Sequence, residues 1–145
     1  MEIQMYCEQL IQYMAQIHSP VLNTADRLAH GEGALLIYLA FRHDGATAGE
    51  LRSWLDVGSG RVANALKSLE GKELIRRVHA DRDGRVVEVF ITEAGRELIR
   101  GRYNRFREEL EGLLRELGPA DSRELVRITG RLFDIIQNRR QRDCP

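Results

Sequence analysis

Apolar residues recur along this chain with two different periods, and the changes between them mark out its predicted elements. From Ile3 onward, Ile3, Cys7, Leu10, Met14, Ile17 and Val21 alternate spacings of four and three, a heptad-like seam along one face of a helix. Pro20 falls within that row, so the helix is expected to kink or end near Ser19, with residues 23–30 leading to a new start. Residues 32–41 are nearly continuous in apolar content through Leu35, Leu36, Ile37, Leu39 and Phe41. They predict a central helix buried on most sides and ended by His43-Asp44-Gly45.

A shorter helix should open at Thr47-Ala48-Gly49-Glu50, a Thr-x-x-Glu capping box in which hydroxyl and carboxylate each satisfy an orphan backbone N–H. Leu51, Trp54 and Leu55 form its apolar stripe, with Trp54 expected in the core, and Asp56-Val57-Gly58 supplies a turn. From about Ser59 a second helix points Val62, Leu66 and Leu69 inward and weakens at Gly71. The period then shortens to two. Residues 74–79 and 86–91 read as strands, with Val87, Val89 and Ile91 alternating against Glu88 and Phe90. Residues 80–85 close the hairpin, and Asp83-Gly84 provides the positive-φ geometry of a tight turn.

Helical spacing returns after Thr92, which caps a helix of about seven turns carrying Ile99, Tyr103, Phe106, Leu110, Leu113 and Leu117, until Gly118-Pro119 stops it. A second capping-box pattern, Asp121-Ser122-Arg123-Glu124, is expected to begin the last helix. That helix should bury Leu125, Ile128, Leu132, Ile135 and Ile136 and fray at Arg139, Arg140 and Arg142. The fold class is mainly α with a small β-hairpin.

Helix, tight turn, helix and hairpin in this order predict a winged helix-turn-helix with the hairpin as its wing. The second helix is then the recognition helix, and its outer face is read as Ser59, Arg61, Asn64, Ala65 and Ser68. Short or hydrogen-bonding residues suit a surface lying against base edges, because bulky apolar groups block approach and carboxylates repel phosphates. The wing contributes Arg82 and Arg85, whose guanidinium groups could enter a minor groove, and Asp83, whose carboxylate could orient Arg85.

Here the sequence resembles the MarR family of bacterial transcriptional regulators, ungapped from Glu50 to Gly95. The resemblance rests on the two helices, the Leu74-Ile75 strand, the Asp83-Gly84-Arg85 tip and the Ile91-Thr92-Glu93-Ala94-Gly95 helix start. Gly84 replaces the first arginine of the family's usual Asp-Arg-Arg tip, and Glu73 stands where the family commonly has glycine. Ala63-Asn64 stands in place of a frequent Thr-Arg, and Gly58 in place of a capping serine. The resemblance implies a single domain over 1–145, with the DNA-binding lobe at 30–95 and helical dimerisation regions at 1–22 and 96–140. It implies an intertwined homodimer built on seam residues Ile3, Leu10, Met14, Ile17, Leu125, Ile128, Leu132 and Ile136. It further implies a repressor on a pseudo-palindromic double-stranded DNA operator, controlled by a small aromatic or phenolic effector.

Composition narrows this picture more than it enlarges it. A chain of 145 residues, 43% hydrophobic and 30% charged, is that of an ordinary globular protein, without a membrane-spanning run. With Glu2 and no basic n-region before an apolar core, a cytoplasmic setting is expected. The formal net charge of +0 argues against nucleic-acid binding, yet residues 47–85 hold eight basic against six acidic side chains. That weak excess keeps open a winged-helix protein-interaction module without DNA binding as the alternative.

Enzyme chemistry finds no support, since there is no Gly-rich phosphate loop, His-Glu-x-x-His or paired-cysteine zinc spacing, and no cofactor or metal is expected. The histidines His18, His30, His43 and His79 are scattered, and a metal on His30, Glu32 or His43 is the weaker reading. Cys7 and Cys144 lie near opposite ends, which disfavours a disulfide. Cys7, beside Tyr6 and near Tyr13, leaves a thiol-based redox-sensing regulator as a further alternative, although its seam position favours a packed, inert thiol.

Overall fold

The apolar run of residues 32–41 is a helix around which the core of the chain is laid down. In the computed structural model, which describes residues 1–17, 19–55, 59–80 and 84–143, this helix is α3 (Gly31–Phe41). It follows α1 (Glu2–Gln16) and α2 (Pro20–Ala29) and precedes β1 (Ala46–Thr47), α4 (Ala48–Leu55), α5 (Ser59–Gly71), β2 (Ile75–His79), β3 (Val87–Ile91), α6 (Glu93–Leu117) and α7 (Pro119–Asp143). The predicted turn Asp56-Val57-Gly58, the wing residues Arg82 and Asp83, His18 and Cys144 lie outside the described residues, as do the side chains of Val21 and Ser59.

Two compact units divide the chain, Met1–Phe106 and Arg107–Pro145, with α6 running through the division. In the first unit Leu35, Leu36, Leu39, Leu51, Leu69, Val89 and Ile99 are each less than 2% exposed and belong to one cluster. Side chains of this size each stabilise the fold by about 1.5–3 kcal/mol when fully buried. Gly33 lets α3 lie directly on α2, because a Cβ there would stand 2.1 Å from the Arg27 carbonyl oxygen. His43-Asp44-Gly45 ends α3 as expected, with Gly45 at φ +93° and the Arg42 and His43 amides both returning to the Tyr38 carbonyl.

The sheet has the order β1-β3-β2, all antiparallel. Ile75 pairs with Ile91 and His79 with Val87, and Ala46 and Thr47 pair with Val89 and Glu88 on the other edge of β3. Two strands were expected and a third, β1, is present. At two residues β1 is shorter than any alternating pattern could register. Val89 and Ile91 are buried and Val87 is half-buried nearer the tip, which is the alternation predicted. On the opposite face the Arg76 guanidinium lies 4.9 Å from the centre of the Phe90 ring.

Several expectations need correction. The first helix ends at Gln16, not near Ser19, and Pro20 begins α2 at the first helical position, where its missing N–H costs nothing. Only half of the first capping box forms. The Glu50 amide donates to Thr47 Oγ1 at 3.2 Å, but the Glu50 carboxylate accepts from His43 Nδ1 at 2.9 Å instead of returning to the cap. Trp54 remains 37% exposed, its ring tilted against Tyr38 with 5.0 Å between centroids, so it borders the core instead of filling it. The second capping box is absent: Pro119 starts α7 two residues early, Ser122 Oγ donates to the Leu114 carbonyl, and Glu124 pairs with Arg127. Helix α7 continues through Arg139, Arg140 and Arg142 to Asp143.

The end of α5 is a Schellman turn. The Leu74 amide donates to the Leu69 carbonyl and the Glu73 amide to the Glu70 carbonyl, both at 3.0 Å, with Glu73 at φ +59° in the left-handed region. Among the described residues Glu73 is the one non-glycine with positive φ. Glu73→Gly should therefore stabilise the fold by about 0.5–1 kcal/mol, the left-handed penalty outweighing glycine's greater unfolded-state entropy. Thermal melting at fixed protein concentration should show a rise of roughly 2–4 °C per kcal/mol at this chain length.

Helix α5 is also tied to α3 through Glu32, whose carboxylate accepts from Lys72 Nζ at 2.7 Å. Burial raises the Glu32 pKa, but the hydrogen bonds from Lys72 and Ser68 more than offset it and hold the group below its ordinary 4.5. A carboxyl whose folded pKa is depressed contributes stability above its unfolded pKa and loses it as pH falls through the folded value. Glu32→Gln should thus cost less than about 1 kcal/mol at neutral pH, and in urea titrations the difference should shrink and disappear as the pH falls through the lowered Glu32 value.

Candidate nucleic-acid interface

The orientation of α5 follows from its apolar row. Val62, Leu66 and Leu69 are buried at 3%, 3% and 0% exposure, which leaves Gly60, Arg61, Ala63, Asn64 and Lys67 exposed. Arg61 and Asn64, three residues apart, are brought together on this surface as predicted. Ala65 and Ser68 are not part of it. Ala65 is half-buried against the core, and the Ser68 hydroxyl faces the Glu32 carboxylate. Both sit on the flank where α5 meets its neighbours, a rotation that residue type alone does not reveal. Lys67 and Ala63 take their places on the exposed surface, and helical spacing from Val62 would have identified them.

One carboxylate near this surface is engaged by a cation. Glu70, toward the end of α5, receives Arg77 of β2 through two bonds, Nε to Oε2 at 3.2 Å and Nη2 to Oε1 at 2.8 Å. Hydrogen bonding from Arg77 lowers the Glu70 pKa, and the reciprocal bond raises that of Arg77. The bidentate pair also fixes β2 against α5. Between α4, α5 and the sheet lies a cleft of about 260 Å³ lined by Val62, Leu66 and Val87 together with the arginines Arg52 and Arg77.

Of the predicted Asp83-Gly84 turn the described residues include Gly84, at φ +67°, and the Ala80 amide donates to the Val86 carbonyl at 2.9 Å. Arg85 is exposed beside Gly84. His79, unassigned by sequence reasoning, donates Nδ1–H to the Gly84 carbonyl at 3.0 Å and so braces the tip from within the hairpin. Of the side chains considered for a metal, Glu32 is taken by Lys72 and His43 by Glu50.

Outside the lobe, the seam residues are uncovered in the single chain. Ile3, Leu10, Met14 and Ile17 in the first unit, and Leu125, Ile128, Leu132 and Ile136 in the second, are between 45% and 79% exposed. The burial expected for α7 is therefore not present in the single chain. Cys7 is likewise exposed, contrary to the packed thiol expected, because α1 buries none of its residues. No helix of the described residues is long and apolar enough to cross a membrane.

The sequence model of the MarR family matches residues 34–87, which run from α3 into β3. A relative, the uncharacterized HTH-type transcriptional regulator YdgJ of Bacillus subtilis strain 168, is 25% identical over 103 residues, covering 71% of this chain. The match spans 63% of that relative's length. Among solved structures, Streptococcus pneumoniae FabT in complex with DNA superposes with a TM-score of 0.70 at 18% identity, covering 94% of this chain and 96% of that one. MepR, a transcription regulator of the Staphylococcus aureus multidrug efflux pump MepA, gives 0.65 at 22% identity, with 90% and 96% covered. A MarR transcriptional regulator from Methanosarcina mazei Go1 gives 0.65 at 20% identity, with 92% and 97% covered. The chain is thus similar to the MarR family over residues 34–87, which hold both helices of the helix-turn-helix, and it shares its fold with these structures.

Proposed function

We propose that this protein is a sequence-specific, DNA-binding transcriptional regulator that acts as a homodimer. The observation that carries the reading is the exposed surface of α5, where Arg61, Asn64 and Lys67 stand without a carboxylate among them while Glu70 is tied off by Arg77. Such a helix can enter a major groove with Arg61 donating to a guanine edge and Asn64 addressing an adenine. Arg85, at the end of the hairpin, serves phosphates and a narrow minor groove. Two copies would address half-sites about 34–36 Å apart. Repression follows if the operator overlaps a promoter. A small aromatic or phenolic effector would act by favouring a lobe arrangement that does not fit that spacing.

A dimer gives the exposed rows of α1 and α7 a partner of matching character. Apolar surface on this scale is uncommon on a soluble monomer and marks an interaction site.

Two outcomes are expected. Leu10→Glu and Ile128→Glu should each shift the protein toward monomer or unfolded chain in sedimentation velocity, and an unaltered dimer would exclude these rows as the interface. In binding across an operator library, Arg61→Ala should relax preference at one base pair per half-site by about 1–3 kcal/mol. Arg85→Ala should instead weaken all sequences alike and reduce the slope of log affinity against log salt by about one. Wild-type affinity that hardly changes between about 50 and 200 mM salt would favour the protein-interaction module.

A further inference from the structure

We propose that Asp44 and Arg96 are positioning residues for the wing, setting where Arg85 meets DNA, an inference that rests on the DNA-binding reading above. Asp44 lies in the loop between α3 and β1, forty-seven residues from its first partner. Its Oδ1 accepts the Ile91 amide at 2.9 Å, and its Oδ2 accepts Arg96 Nη2 at 2.5 Å. Next to it the Gly45 amide donates to the Val89 carbonyl at 2.9 Å. A single carboxylate thus joins the last residue of β3 to the first turn of α6.

The leverage of this contact comes from where it acts. Strand β3 is the central strand, and Ile91 is the end of it remote from the tip. Six residues separate Ile91 from Arg85, about 20 Å of extended chain, so a tilt of about 10° at Ile91 would displace the tip by roughly 3.5 Å. A displacement of that size is longer than a hydrogen bond and would carry Arg85 away from any phosphate it contacts. The other edge of the hairpin base is held separately, by the Thr92 amide on the Leu74 carbonyl at 3.0 Å. Asp44 and Arg96 are 34% and 30% exposed, and neither belongs to the apolar cluster. Their replacement therefore changes the angle of the wing while the core of the lobe stays in place.

The test combines amide exchange with a double-mutant cycle on the full-length chain. Arg96→Gln and Asp44→Asn should speed exchange of the Ile91 amide about tenfold while the Leu39 and Val62 amides keep their protection, and Arg96→Lys should restore most of it. Each variant should weaken binding of a selected operator fragment by about three- to tenfold. That loss should vanish in an Arg85→Ala background and persist fully in an Arg61→Ala background, because only the wing contact is affected. General destabilisation would lower affinity equally in both backgrounds and raise exchange throughout the lobe, and either result overturns the proposal. So does an unchanged Ile91 amide. If the unaltered protein binds no fragment, the DNA-binding reading fails, and the exchange pattern alone decides whether the pair holds the wing.

Discussion

Helix α5 is held by its tail. The turn that ends α5 presents the carbonyls of Glu73 and Leu74 to the first turn of α6, where Thr92 Oγ1 donates to the former at 2.7 Å and the Thr92 amide to the latter at 3.0 Å. The same hydroxyl accepts the Gly95 amide at 3.1 Å, so one threonine caps α6 and docks it on the turn. Such closeness requires glycine at 95, since a Cβ there would come within 2.2 Å of the Leu74 carbonyl oxygen and 2.8 Å of Ile91. The direction of α5, the start of β2 and the end of β3 all meet at this junction. Everything the lobe presents outward is aimed from it.

Charge is organised by the same economy of contacts. The chain is neutral overall, yet Glu32, Asp44 and Glu70 are each matched to a basic side chain from a different element, at sequence separations of 40, 52 and 7. These pairs are largely solvent-exposed and contribute little stability individually. Their effect is geometric and local. Each fixes one element against another, and the Arg77–Glu70 pair leaves the exposed side of α5 with cations and amides in the foreground.

Much of this was legible from local pattern. The rotation of α5 could be read because Val62, Leu66 and Leu69 obey helical spacing, and the caps at Thr47 and Thr92 because hydroxyl capping is a contact between near neighbours. The same locality explains the errors. Asp121-Ser122-Arg123-Glu124 has the form of a cap, but Gly118-Pro119 had already supplied a start, and Pro20 begins a helix where it was expected to end one. Ser68 and Ala65 fit a DNA-facing list by chemistry, while the contacts that turn them inward come from α3 and the core. Strand β1 exists only because β3 has an edge to pair with. The long-range partners of Asp44 and Glu32 have no signature along the chain at all.

Helix α1 deserves a different kind of reading from the lobe it precedes. Fifteen residues long, it buries no side chain within the chain and has no side-chain cap at its start. A helix of that length and exposure is marginal in water, because the cost of nucleating it is hardly recovered without packing. Its order then belongs to whatever covers it, not to the chain that encodes it. Were a second chain to cover it, association and folding would become one event for this segment, and part of the interface energy would go into straightening it. Contacts made by α1 in such an assembly would tighten binding less per unit of area than those made between helices already formed, and its affinity would depend on helix propensity at positions that touch nothing.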